Sequence, residues 1–205
     1  MTAAAHAEPL LKVHGLELER GGRVLLSDFS LEIYPGEVMM LEGENGSGKT
    51  SLLRTLAGLA RYGYSGGLQC NADSLLYLGH KAGVKTLLTP RENLRWYCSV
   101  QNLPLAGLDA ALQSVELTGY EDIPCHNLSA GQQRRVNLAR LYLSEAPLWL
   151  LDEPFTAIDR AGVKRLADVI AARAAAGGAV VLTSHQPLPS DYPVRRVSIA
   201  RQERS

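Results

Sequence analysis

The sequence predicts an α/β domain in which a mostly parallel sheet is covered on both faces, with a helical insertion near residues 85–145. Three observations carry this reading. Short apolar runs alternate with helical stretches along most of the chain. A glycine-rich turn, residues 43–48, sits between one such run and a helix. The 205 residues are 46% hydrophobic and 20% charged, which suits one domain with a substantial core.

Leu11–Leu18, Phe29–Tyr34 and Val38–Glu42 read as strands, because Gly21-Gly22 and Pro35-Gly36 divide alternating or apolar runs. Lys49 to Ala57 reads as a helix stopped by Gly58, and Ser74–Gly79 as a short strand. Pro90 suits a first helical turn and opens a helix through Trp96. Leu108–Leu117 and Gln132–Ser144 are two further helices. Leu148–Leu151 is a buried strand. A long helix then runs from a capping Asp159 to Ala176 and ends at Gly177-Gly178. Ala179–Thr183 and Arg195–Ala200 are the last strands, and neither an internal repeat nor a domain break interrupts residues 9–205.

Composition removes several classes of function. Basic and acidic side chains balance at 21 each, so there is no electrostatic case for a nucleic-acid partner. The apolar fraction excludes disorder, and no run of about 18 apolar residues is long enough to span a bilayer. Cys70, Cys98 and Cys125 are an odd number without paired metal-ligand spacing. Met1 to Pro9 lacks the pattern of a secretory signal, so a soluble, reducing, cytoplasmic setting is the default expectation.

Gly43-Glu44-Asn45-Gly46-Ser47-Gly48-Lys49-Thr50 fits the phosphate-loop pattern G-x-x-x-x-G-K-[ST], in the strand–turn–helix context it requires. Glycines let successive N–H groups turn inward toward phosphate oxygens, and the helix adds its positive end. Lys49 would place an ammonium on the β- and γ-phosphates, and the Thr50 hydroxyl would ligate Mg²⁺. The alternative is a glycine-rich turn that holds nothing. Downstream, the apolar strand Leu148–Leu151 ends in Asp152-Glu153, where adjacent carboxylates are costly unless a cation or water uses them. Asp152 reads as the Mg²⁺ partner, through water or directly, and Glu153 as the base for the water attacking a γ-phosphate.

Leu128-Ser129-Ala130-Gly131-Gln132 precedes an amphipathic helix and resembles the signature motif of ATP-binding-cassette (ABC) proteins, with Ala130 in place of the usual first glycine. Thr156-Ala157-Ile158-Asp159 resembles their D-loop and Ser184-His185 their switch histidine, and the motifs are in order over residues 10–200. The resemblance implies a P-loop NTPase fold. Its parts would be a RecA-like parallel-sheet core, an antiparallel β subdomain and a helical signature subdomain at about 85–145. It also implies that ATP and Mg²⁺ are bound by residues 43–50 with Ser51, and that Lys49, Glu153 and His185 are catalytic. Ser129, Gly131, Gln132 and Asp159 would complete the site of a second ATP-binding subunit in a homodimer, opened and closed by ATP turnover.

Two departures narrow the family. His80, in Leu76-Tyr77-Leu78-Gly79-His80-Lys81, stands where a glutamine usually couples Mg²⁺ to the membrane partner. Arg20 stands where an aromatic residue usually stacks on adenine, and its guanidinium plane can stack in turn. Both are similar to the haem-exporter branch that serves cytochrome c maturation, as are Ser51-Leu52-Leu53-Arg54, Gly79–Lys85, Leu88-Thr89 and Glu92-Asn93-Leu94. That branch implies an ATPase on the cytoplasmic face of the inner membrane, peripheral, paired with an integral membrane (CcmB-like) subunit and other cytochrome c maturation proteins. Its hydrolysis would be coupled to haem export or haem-chaperone release.

Other features have ordinary readings. Cys125-His126 lacks the C-x-x-C-H of haem attachment, Trp96 and Tyr97 suit a helical core or a groove for a partner helix, and Arg134-Arg135 suit a solvated helix face. Rival functions are another ABC transporter, such as a lipoprotein-release or small-solute system, a soluble ABC protein acting on DNA or ribosomes, and an ATP sensor. The last is disfavoured by Lys49, Asp152, Glu153 and His185.

Overall fold

The structure is a computed structural model that describes residues 8–60, 63–81, 83–156, 158–186, 188–189 and 191–199. The readings made on Met1–Ala7, Ala82, Ala157 and Ala200 lie outside the described residues.

Two strands, β1 (Leu11–Arg20) and β2 (Arg23–Ile33), form a hairpin, and β3 (Val38–Glu42) leads through the phosphate loop into α1 (Lys49–Leu56). Strand β4 (Tyr64–Cys70) returns to the other side of β1, giving an antiparallel sheet of order β2-β1-β4. Next comes β5 (Leu75–Leu78), followed by the helices α2 (Pro90–Val100), α3 (Leu108–Ser114) and α4 (Ala130–Leu138). The chain then alternates through β6 (Leu148–Asp152), α5 (Arg160–Ala175), β7 (Ala179–Thr183) and β8 (Val194–Ser198). Strands β5-β6-β7-β3-β8 form the second sheet in that order, with every pairing parallel.

Strands β6 and β7 are buried along their whole length, as a parallel sheet covered on both faces demands. Alternate residues feed two separate apolar clusters. Val38, Met40, Trp149, Leu151, Val180 and Leu182 pack toward α2, α3, α4 and α5. Met39, Leu41, Leu148, Leu150 and Val181 pack toward α1 and the antiparallel sheet. Each buried leucine or valine contributes about 1.5–3 kcal/mol relative to exposure.

Several elements differ from the sequence reading, among them α2, which runs on to Val100, and α3, which stops at Ser114. Strand β2 begins at Arg23 rather than Phe29, because Asp28 at φ 48° and shifts in the β1–β2 register interrupt the two-residue period without ending the strand. Strand β1 runs on to Arg20. Strand β4 is an addition, since its largely exposed residues carry no apolar period and the paired Gly66-Gly67 weaken any strand signal. There the backbone passes so close to β1 that a Cβ on Gly66 would lie 2.4 Å from the Gly15 carbonyl oxygen. Helix α4 starts at Ala130 and ends at Leu138, tightening into a 3₁₀ turn over Ala139–Tyr142.

Candidate nucleotide site

The phosphate loop emerges from the C-terminal end of β3. Gly48 caps α1 at φ 106°, a left-handed backbone that favours glycine, and a Cβ there would come within 3.1 Å of Leu25 Cβ. Lys49 is buried, and its Nζ donates to the carbonyls of Gly43 at 2.6 Å and Glu44 at 3.0 Å, which curls the loop around the ammonium. The buried Ser47 hydroxyl has no hydrogen-bond partner among the described residues. A polar group left so costs about 1–3 kcal/mol.

Asp152 ends β6 and is 1% exposed. The Thr50 hydroxyl lies 3.1 and 3.0 Å from its two carboxylate oxygens, and the Thr183 hydroxyl donates to Oδ1 at 2.9 Å. A hydroxyl beside a carboxylate is a hard-oxygen donor set of the kind Mg²⁺ takes. Thr183 also accepts the Glu153 N–H at 2.9 Å, so it ties both acids to the end of β7. Sequence reasoning passes over Thr183. Its only signal is a polar residue closing an apolar strand just before Ser184-His185.

Glu153 has φ 51°, a left-handed conformation costing a non-glycine residue about 1 kcal/mol or more. His185 Nε2 lies 3.5 Å from Glu153 Oε1. Together these residues border a cleft of about 520 Å³, lined by Arg20, Leu25, Asn45, Gly46, Gly48, Lys49, Thr50, Ser51, His80, Asp152, Glu153 and His185. Arg20 Nη1 reaches Ser51 Oγ at 3.5 Å. Gly43, Glu44 and Ser47 shape the loop without lining the cleft.

The remaining candidates lie elsewhere. Ser129 is the N-cap of α4: its hydroxyl accepts the Gln132 N–H, and the Gln132 side chain accepts the Ser129 N–H in return. Gly131 is in the same first turn. Asp159 caps α5 by accepting the Gly162 N–H at 2.7 Å. None of these four lines the chain's own cleft.

Arg134 corrects the reading of a solvated pair. It is 5% exposed, and its guanidinium donates to the carbonyls of Gly79, His80, Asp152 and Glu153 at 2.6, 3.1, 3.1 and 2.9 Å. Burial pulls its pKa below the ordinary value, an effect opposed by Asp152, Glu153 and Tyr77. Arg135 alone behaves as expected, pairing with Glu116 at 2.9 Å. Cys125 is buried, with its Sγ 3.4 Å from Asn93 Nδ2, and His126 Nδ1 lies 3.3 Å from the Thr86 carbonyl.

A phosphate loop at the C-terminal edge of a parallel sheet, with paired acids two strands along, defines a P-loop nucleotide-binding domain. The family model described as ABC transporter matches residues 26–156. The chain is 48% identical over 202 residues to the cytochrome c biogenesis ATP-binding export protein CcmA of Hahella chejuensis (strain KCTC 2396), covering 93% of this chain and 96% of that protein. The protein of that name from Yersinia pestis bv. Antiqua (strain Nepal516) is also 48% identical, over 209 residues and 96% of each chain. The chain belongs to the ABC transporter family and is an ABC-type ATPase.

Among solved structures, an ATP-binding subunit of an ABC transporter superposes with TM-score 0.77 at 24% identity, over 86% of this chain and 79% of that one. A Pyrococcus furiosus ATP-binding protein described as a putative ABC transporter gives TM-score 0.77 at 23% identity, over 92% and 96%. At that identity the likeness speaks for the fold. None of the described helices is long and apolar enough to cross a membrane.

Proposed function

We propose that this chain, as one ABC domain over residues 9–205 with a helical subdomain at about 85–145, is the ATP-hydrolysing, energy-coupling subunit of a transporter complex for c-type cytochrome biogenesis. The observation that carries the enzymatic part is the gathering of Lys49, Thr50, Asp152, Glu153 and His185 on one cleft. The cargo class rests on near-half identity to the CcmA proteins over almost the full chain. Within that biogenesis, the work we assign to it is haem export or haem-chaperone release.

Lys49 would bind the β- and γ-phosphates, with Gly46, Gly48 and Ser51 around them and Arg20 against the base. Thr50 and Asp152 would hold Mg²⁺, which when bound neutralises charge on the β- and γ-oxygens. Glu153 takes the proton of the water whose oxygen bonds to the γ-phosphorus as the bond to the β-phosphate oxygen breaks. His185 holds that water and the γ-phosphate in line. Ser129, Gly131, Gln132 and Asp159, outside the chain's own cleft, would serve the nucleotide of a second copy in a homodimer. His80 would link the site to an integral membrane (CcmB-like) subunit, with this chain peripheral on the cytoplasmic face of the inner membrane.

The test is genetic and biochemical together. In a host deleted for its own such ATPase, the wild-type chain should restore haem-stained c-type cytochromes. Glu153→Gln should restore none while still binding ATP, with turnover down by about 10²–10⁴-fold. Normal cytochromes with the Glu153→Gln chain, or none with wild type, would overturn the proposal.

A further inference from the structure

We propose that Arg134 is a positioning residue for ATP hydrolysis, its buried guanidinium locking the backbone that carries Asp152 and Glu153 to the backbone that carries His80. The proposal rests on Glu153 acting as the base.

Four hydrogen bonds make the case. Nη1 donates to the carbonyls of Gly79 and His80, just past β5, and Nη2 to those of Asp152 and Glu153, at the end of β6. These segments are neighbours in the parallel sheet, and each sends a side chain to the nucleotide cleft. A rigid planar fork suits such a bridge, because it spans both strand ends at once and fixes their separation. Lysine has one donor centre and cannot reproduce the span.

Stability alone is a poor reason for this cation. Burying a guanidinium carries a desolvation cost, which its bonds to neutral carbonyls go largely to offset rather than to add net stability. Arg134 also leaves its Nε buried without a partner among the described residues. Its acceptors are main-chain carbonyls, while the Asp152 carboxylate is taken by Thr50 and Thr183 and that of Glu153 faces His185. The guanidinium therefore acts on where those acids sit. The left-handed peptide at Glu153 is held by Thr183 at its N–H and by Arg134 at its carbonyl, so the strained turn is pinned at both ends.

The experiment compares the full-length wild type, Arg134→Lys, Arg134→Met and Glu153→Gln by thermal midpoint, ATP affinity, kcat and KM. Arg134→Lys should stay folded, bind ATP within about twofold of wild type, keep KM, and lose about tenfold or more in kcat. Arg134→Met, which leaves four carbonyls without this donor, should lower the thermal midpoint yet stay folded at assay temperature, and lose at least as much kcat. Wild-type kcat in Arg134→Lys overturns the proposal, as does a loss expressed as raised KM. It also falls if both variants unfold at assay temperature, because the residue is then structural. Undiminished turnover in Glu153→Gln instead overturns the reading beneath it, so the two failures are told apart.

Discussion

Lys49 and Arg134 are both buried cations bonded to main-chain carbonyls, yet they suit different roles. The lysine ends a flexible stem at the edge of a cleft and can exchange two loop carbonyls for phosphate oxygens. The arginine fork is locked by four acceptors on two strand ends. Lys49→Ala should therefore weaken ATP binding by about 10–100-fold, the worth of a charge-assisted hydrogen bond, in a titration calorimetry experiment. Unchanged affinity would argue against the phosphate-loop reading. The two residues also differ in how far the sequence reveals them. Lys49 belongs to a contiguous pattern whose chemistry is local. Arg134 takes its meaning from carbonyls 18 to 55 positions away in the chain, and a charged residue beside another on a helix is ordinarily solvated.

Helix α2 shows how an element can be specified by its entry. Thr89 and Glu92 form a reciprocal capping box, and Pro90, which occupies the first turn, is readable in the sequence. Asn93 is not, although it does more. It is 1% exposed, accepts the Lys85 N–H at 2.8 Å, and donates to the carbonyls of Lys85 and Thr89 at 3.0 and 2.9 Å. It thus binds the 85–89 loop to the helix that follows. Asn93→Ala should destabilise the protein by about 2–4 kcal/mol in urea unfolding, because several part-buried backbone groups lose their partner together. A change under about 0.5 kcal/mol would contradict that role. Helices are legible because caps and the 3.6-residue period are local. Strand β4, largely exposed and carrying paired glycines, has no apolar period to announce it.

At the scale of the whole molecule, burial sorts the cysteines. Cys70 is exposed, whereas Cys98 and Cys125 are buried, and burial pushes both of those thiols above their ordinary pKa. The folded state therefore holds these protons more tightly than the unfolded one. The associated stability is complete below the ordinary thiol range and is lost as pH climbs through the raised values. A thiol reagent should titrate one group in the native protein and all three cysteines after denaturation. Prompt native reaction of more than one would contradict the packing. A mostly parallel sheet is implied by strand–helix alternation, but neither its strand order nor which residue faces which cluster is, since a fully buried strand has no polar side to read. Val180 and Val181 are adjacent in the chain yet belong to different interiors, one shared with the helices and the other with the hairpin. The sheet is thus a party wall, and a methyl group trimmed from either valine opens its gap on that valine's own side.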